Sequence, residues 1–119
     1  MPIDILVVCD DDLQLDCVSE QLTHAGYIVH SALSGAAAIE WLRSHRVDMV
    51  ITDFRMPHMN GAQLRELIRD ENSKIPIILM TGERDHTLGA GFDGFLQKPF
   101  TMSELLSEVD RVRSSIRQL

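Results

Sequence analysis

Short apolar runs alternate with amphipathic stretches along the whole chain. Between the runs, apolar residues recur every three or four positions, which is the spacing of one helix face. The runs are rich in Val, Ile and Leu, as expected of strands buried on both faces of a sheet. This alternation predicts a doubly wound α/β domain with a parallel sheet and right-handed crossovers. The predicted strands cover Ile3 to Cys9, Tyr27 to His30, Val47 to Thr52, Ile77 to Met80 and Phe95 to Gln97.

Capping residues mark the ends of the predicted helices. Asp11 and Gln14 have capping-box spacing before the first helix, and Thr101 and Glu104 have it before the last. Gly26 ends the first helix. The segment between the fourth and fifth strands leaves room for one or two helical turns at most. The remaining caps are Ser34 and Asn60, and the predicted inward faces are Leu15, Val18, Leu22 and Ala25; Ala38, Ile39 and Leu42; Leu64, Leu67 and Ile68; and Leu105, Val109, Val112 and Ile116.

Composition narrows the class of protein. The chain has 119 residues, enough for one domain, of which 45% are hydrophobic and 24% charged. Its net charge of −7 argues against a nucleic-acid groove, because phosphate binding needs clustered Lys and Arg. No apolar run approaches the roughly 18 residues that span a bilayer, and the start lacks the basic region of a signal peptide. We therefore expect a cytoplasmic protein that binds neither membranes nor nucleic acid.

The two cysteines and five histidines show no metal-ligand spacing. Cys9 lies at the end of a predicted strand and Cys17 in a predicted helix. We interpret both as reduced, buried thiols rather than a disulfide or a zinc pair. We interpret the histidines as surface or packing residues.

Four polar groups follow different strands of the predicted sheet. Asp10 follows the first strand, Asp53 the third, Thr81 the fourth and Lys98 the fifth. Each has an ordinary reading when taken alone, as a helix-flanking acid, a turn former, a strand end or a solvated lysine. Because the carboxyl ends of parallel strands meet at one edge, we expect all four in one crevice. Carboxylates suit Mg²⁺, and a carboxylate can accept a phosphoryl group whose charge a hydroxyl and an ammonium would stabilise.

At this point the chain resembles the receiver domain of two-component response regulators over nearly its whole length. The resemblance depends on four motifs that occur in order on the expected elements. They are Ile5-Leu6-Val7-Val8 followed by acids, Asp53 with Met56-Pro57 and Gly61, Met80-Thr81-Gly82, and Lys98-Pro99-Phe100.

The resemblance implies a flavodoxin-like fold with strand order 2-1-3-4-5. It implies that Asp53 accepts a phosphoryl group from a phosphohistidine on a histidine kinase or a phosphotransfer domain. It also implies Mg²⁺ (or Mn²⁺) held by Asp10, Asp53 and the backbone carbonyl of Arg55. Such a domain is a phosphoacceptor that assists its own phosphorylation and dephosphorylation, and it is not an enzyme in the usual sense.

The remaining roles implied by the resemblance concern signalling. Thr81 would bind a phosphoryl oxygen and shift toward it, and the rotamer of Phe95 would report the state of Thr81. Lys98 would pair with the phosphoryl group and would have a cis bond to Pro99. Apart from the resemblance, Arg55 and Glu83 lie two residues after Asp53 and Thr81, where they could meet an incoming water or partner, so they are candidates for tuning the lifetime of the phosphorylated state.

The chain departs from the family pattern at three points. Cys9 stands where the family usually has the first of two acids, so we expect weaker Mg²⁺ binding. Asp11 or Asp12 could compensate through water, although Asp11 is also the predicted cap. The fourth helix is shortened, which puts dimerisation through that face in doubt and favours a monomer or weak dimer. The chain would be a single receiver domain over residues 1–119 without an output domain, either stand-alone or cut from a longer regulator or hybrid kinase.

Two other functions compete. A pseudo-receiver would be a protein-interaction module that docks a partner without being phosphorylated. A phosphatase of the haloacid-dehalogenase type would need a second acid two residues after its nucleophile, and that position is Arg55.

Overall fold

A computed structural model describes residues 3–71 and 74–117, and within these it leaves aside the side chains of residues 86, 116 and 117. Strands and helices alternate, as predicted. The strands are β1 Asp4–Val8, β2 Ile28–Ala32, β3 Met49–Asp53, β4 Ile77–Thr81 and β5 Gly94–Gln97. The helices are α1 Asp12–His24, α2 Gly35–Leu42, α3 Gly61–Asp70 and α4 Met102–Arg117. A 3-10 segment, His86–Gly89, stands between β4 and β5.

The five strands form one parallel sheet in the order β2-β1-β3-β4-β5. This confirms the predicted flavodoxin-like order. The second strand was predicted too early, since it begins at Ile28 and continues to Ala32. The third strand extends one residue beyond its predicted end and includes Asp53, which pairs with Met80.

Helices cover the sheet on both faces, and the period of two along β1 divides its residues between them. Ile5 and Val7 pack with residues of α1 and α4. Leu6 and Val8 pack with residues of α2 and α3. Both faces of the strand are therefore buried, which explains why Ile5 to Val8 form a continuous apolar run.

The predicted helix faces are largely confirmed, with two corrections. Leu67 is 39% exposed and does not belong to the buried stripe. Leu64 and Ile68 are one turn apart and lie above one another against the sheet, so Leu67 falls to the side. Ala25 is exposed because it is the C-cap of α1, where the chain turns away through Gly26 at φ +99°. The predicted inward position of Ile116 lies outside the described side chains.

The short helix predicted between the fourth and fifth strands is a single 3-10 turn, His86–Gly89. Two arginines of α3 reach across to the loop that follows it. Arg65 lies 5.3 Å from the centre of the Phe92 ring, and Arg69 forms an ion pair with Asp93 at 3.2 Å. Side chains from a neighbouring helix thus cover part of this region.

Cys17 is exposed, so the prediction of a buried thiol is wrong at that position and right at Cys9. The helix α1 turns Leu15 and Val18 inward, and Cys17 lies on the opposite side. Across the described ranges, no helix has the length and apolar character needed to cross a bilayer.

Candidate functional site

Asp53 is the last residue of β3 and is only 3% exposed. Its backbone is packed tightly against the start of α3. A Cβ on Gly61 would lie 2.6 Å from the Asp53 carbonyl oxygen, so glycine is needed at that position. That carbonyl also accepts a hydrogen bond from the Thr52 hydroxyl at 2.9 Å. The carboxylate is thus held on rigid elements at the carboxyl edge of the sheet.

Lys98 reaches the same place from the end of β5. Its N–H donates to the Thr81 carbonyl at 2.8 Å, and its bond to Pro99 is cis, as predicted. Its ammonium forms an ion pair with Asp53 Oδ1 and donates to Gln14 Oε1 at 3.0 Å. A buried carboxylate is costly unless it is paired, and Lys98 supplies the opposite charge.

Cys9 and Asp10 lie on the other side of Asp53, at the end of β1. The Cys9 sulfur and one carboxylate oxygen from each of Asp10 and Asp53 are all within 4.8 Å of one another. Burial and the neighbouring Asp53 raise the pKa of the Cys9 thiol to about 12, so the thiol is neutral at pH 7. The thiol donates a hydrogen bond to the Asp11 carbonyl at 3.6 Å.

The donor set at this point fits a hard divalent cation through two carboxylates. Asp10 is exposed and Asp53 is buried, and Mg²⁺ commonly uses one or two carboxylates together with water. A neutral thiol is a poor ligand for such an ion. Asp11 does not join the cluster, because its carboxylate accepts hydrogen bonds from the N–H groups of Leu13 and Gln14. The predicted role of Asp11 as the cap is confirmed.

Thr81 is 3% exposed at the end of β4. Its hydroxyl oxygen accepts a hydrogen bond from the Glu83 N–H at 3.0 Å, which leaves the hydroxyl proton available to another acceptor. Phe95 is half-buried on β5, where its ring lies against Gly89 and its N–H donates to Glu108 Oε2 at 2.7 Å. Phe95 does not line the cavity at Asp53, so its coupling to Thr81 stays a prediction.

A cavity of about 530 Å³ opens beside Asp53. It brings Asp53, Thr81 and Lys98 together, as the sequence predicted. Arg55 and Glu83 also line it, and their side chains form an ion pair. The role of the Arg55 carbonyl as a ligand stays a prediction. The cavity is lined by Asp53, Phe54, Arg55, Met80, Thr81, Gly82, Glu83, Arg84 and Lys98.

Gln14 is the site contact that the sequence analysis missed. Its spacing from Asp11 indicated a capping box, in which the Gln14 amide would return to the Asp11 backbone. The amide oxygen instead accepts from Lys98, 84 residues away. A signal was present, because Gln14 is a long polar residue in the first turn of the helix that begins at the site edge.

Comparisons with known proteins agree with this geometry. A family model described as the response regulator receiver domain matches residues 5–110. The response regulator MprA of Mycobacterium sp. (strain KMS) is 34% identical over 123 residues, which cover 99% of this chain and 52% of MprA. The chain therefore spans about half the length of this curated relative.

Solved structures give the same result for the fold. The chemotaxis response regulator CheY4 of Vibrio cholerae is 30% identical with a TM-score of 0.86, covering 94% of this chain and 99% of CheY4. The response regulator TrrA from Thermotoga maritima, in complex with Mg²⁺-BeF, is 30% identical with a TM-score of 0.84 and the same coverage.

Proposed function

Because the chain belongs to the response regulator receiver domain family, we propose that it is a switch phosphorylated on Asp53 by a histidine kinase or a histidine phosphotransfer domain. The ion pair between Lys98 and the buried Asp53, in a cavity that also contains Thr81, is the observation that carries this proposal. A nucleophile, a cation and a hydroxyl converge there on a space open to a donor.

In the proposed step, an Asp53 carboxylate oxygen attacks the phosphorus of a phosphohistidine. The new O–P bond forms as the donor P–N bond breaks, and the electron pair of that bond stays on the imidazole, which takes up a proton from solvent. The product is an acyl phosphate on Asp53. Reversal to the carboxylate occurs when water attacks the phosphorus and releases inorganic phosphate.

Charge governs this step, since the phosphoryl group adds up to about two negative charges to an acidic edge. Lys98 is positioned to pair with one phosphoryl oxygen, and the free proton of the Thr81 hydroxyl is available to another. Asp10, Asp53 and the Arg55 carbonyl would hold Mg²⁺ (or Mn²⁺). When bound, this ion supplies positive charge that neutralises the incoming group.

The proposed output follows from Thr81 and Phe95. Contact between Thr81 and the phosphoryl group would shift the equilibrium between two packings of the region between β4 and β5. The rotamer of Phe95 would differ between these two packings. The recipient of the signal is an output partner or a linked output domain, and we place the switch in the cytoplasm beside its kinase. Receiver domains of this kind signal, and they do not turn over a separate substrate as enzymes do.

The test is incubation with a small phosphodonor and Mg²⁺, followed by intact-mass measurement. We expect the mass of one phosphoryl group in the wild type and none in Asp53→Asn. Excess chelator should suppress the uptake. A wild type that gains no mass, or an Asp53→Asn variant that gains as much, would overturn the proposal.

One observation favours a second candidate, a receiver fold that docks a partner without phosphorylation. The neutral thiol of Cys9 leaves the metal side of the site with one acid fewer than is usual in the family. Once a partner has been identified, equal affinity for wild type, Asp53→Ala and donor-treated protein would support this candidate.

A further inference from the structure

Gln14 joins helix α1 to the lysine of the site. Its Oε1 accepts a hydrogen bond from Lys98 Nζ at 3.0 Å, while the same ammonium contacts Asp53. Both Gln14 and Lys98 are half-buried, so the bond is partly protected from competing water. Two of the three N–H donors of the ammonium are therefore directed by the protein.

Local helix chemistry does not explain this orientation. Gln63 occupies the equivalent third position of α3, and it returns to the Asn60 N–H at 2.9 Å to complete a capping box. Glu104 likewise returns to the Thr101 N–H at 3.0 Å. Gln14 has the same spacing from its cap, yet its amide extends to Lys98 instead. Instead of the local bond to the Asp11 N–H that a capping box would contain, Gln14 forms a long-range bond to a charged group. Hydrogen bonds to charged groups are the stronger type.

We propose that Gln14 is a positioning residue that holds the Lys98 ammonium against Asp53. The amide oxygen is neutral, so it orients the ammonium without cancelling the positive charge that the phosphoryl group needs. A carboxylate in its place would compete with Asp53 for Lys98. An apolar side chain would leave the ammonium free to turn toward solvent.

The consequence for phosphorylation rests on the proposed function. A lysine that is already in place does not have to be ordered as the phosphoryl group arrives, so the cost of orienting it does not add to the barrier. Loss of the Gln14 bond should therefore slow phosphorylation and leave the fold intact.

The experiment compares Gln14→Leu with Gln21→Leu, a matched variant on the same helix. The Gln21 amide donates to the Cys17 sulfur at 3.5 Å, and among the described residues it has no hydrogen bond to Lys98 or Asp53. With a small phosphodonor and Mg²⁺, we expect Gln14→Leu to slow Asp53 phosphorylation about tenfold, the low end of the effect of a hydrogen bond to a charged group, because this bond is only half-buried. Gln21→Leu should match the wild type. A Gln14→Leu rate equal to that of Gln21→Leu would overturn the proposal.

A double-mutant cycle separates positioning from a general structural effect. In a Lys98→Ala background, followed over correspondingly longer incubations, Gln14→Leu should cause no further slowing, because the bond it removes is already gone. An unchanged fold-effect in that background would show that Gln14 acts through something other than Lys98.

A last measurement does not depend on phosphorylation. The chain has two lysines, Lys74 and Lys98, so their ammonium groups can be assigned by ¹⁵N NMR. We expect a slowly exchanging Lys98 ammonium signal in the wild type and in Gln21→Leu, and its loss in Gln14→Leu. If the wild type took up no phosphoryl group, the proposed function would fail, but this signal would still decide whether Gln14 holds Lys98.

Discussion

Two pairs of side chains meet at Asp53: Lys98 with its partner Gln14, which we call the lysine side, and Cys9 with Asp10, which we call the acidic side. On the lysine side, the Lys98 ammonium forms an ion pair with Asp53 and donates a hydrogen bond to Gln14. On the acidic side, one carboxylate is exposed and the buried neighbour is a neutral thiol. The protein thus holds the Lys98 ammonium in place with its own side chains. The acidic side would need a bound cation to balance its carboxylates. Changes on the two sides should have different effects.

Removal of Lys98 should have the largest effect. In Lys98→Ala, the attacking carboxylate loses its partner and the phosphoryl group loses a cation, so we expect phosphorylation by a small donor to slow about 100-fold. Intact-mass time courses measure this. Lys74→Ala is the control, because Lys74 is exposed and away from the site. A Lys98→Ala rate within a factor of two of the control would show that phosphorylation does not depend on the Lys98 charge.

Cys9→Asp should strengthen the acidic side. An added carboxylate beside Asp10 and Asp53 brings a hard ligand and a negative charge, so we expect Mg²⁺ to bind about tenfold more tightly. Calorimetric titration of the metal measures the change, and Cys17→Ser, at the exposed cysteine, should leave the affinity unaltered. The same affinity in Cys9→Asp and wild type would mean that the thiol does not weaken the site.

Glu108→Gln should destabilise the packing of β5, which leads into Lys98, and should not affect the acidic side. Glu108 accepts from the Phe95 N–H, and bonds from Arg111 and Phe95 lower the pKa of Glu108. We expect a loss of about 1 kcal/mol in the free energy of unfolding at pH 7.

The pH dependence follows from the lowered pKa of Glu108. The stabilisation is present above the pKa of the unfolded state and is lost as pH falls through the folded pKa. Denaturant titrations should therefore show the wild type and Glu108→Gln converging below about pH 4. Glu66→Gln, an exposed change on α3, should match the wild type at every pH. A constant gap between wild type and Glu108→Gln would rule out this carboxylate as the cause.

The ion pair between Arg55 and Glu83 should give the smallest effect. It lines the cavity at Asp53, and Arg55 is 77% exposed, so its contribution to stability is small. We expect Glu83→Gln to shorten the phosphoryl lifetime about two- to threefold by opening the cavity to water. Decay of the phosphorylated mass measures this. Arg43→Ala breaks another exposed ion pair, with Glu71, and should not change the lifetime.

The order of elements was predictable because burial on two faces leaves a strong pattern. The continuous apolar run in β1 and the strand-end positions of Asp53 and Lys98 are visible in the sequence. Strand ends were less certain, as β2 shows. A pattern reports which residues are apolar, but it does not report how far an element continues once its neighbours support it.

At the site, the sequence could not predict the direction in which side chains point. Gln14 and Gln63 have the same spacing from their caps, yet one bonds to Lys98 and the other to its own helix. Leu67 was misassigned for a related reason, because helical period does not fix the width of the buried stripe. Such choices depend on what lies across from the side chain in three dimensions.

Mapping the phosphorylated residue is the most direct test of Asp53 as the phosphoacceptor. After treatment with a small phosphodonor and Mg²⁺, borohydride reduction and peptide mass spectrometry locate an acyl phosphate among the acids of this edge. We expect the modification on Asp53 alone, with Asp10, Asp11 and Asp12 unmodified. Modification of one of those acids instead, or of none, would contradict the assignment of Asp53 as the phosphoacceptor.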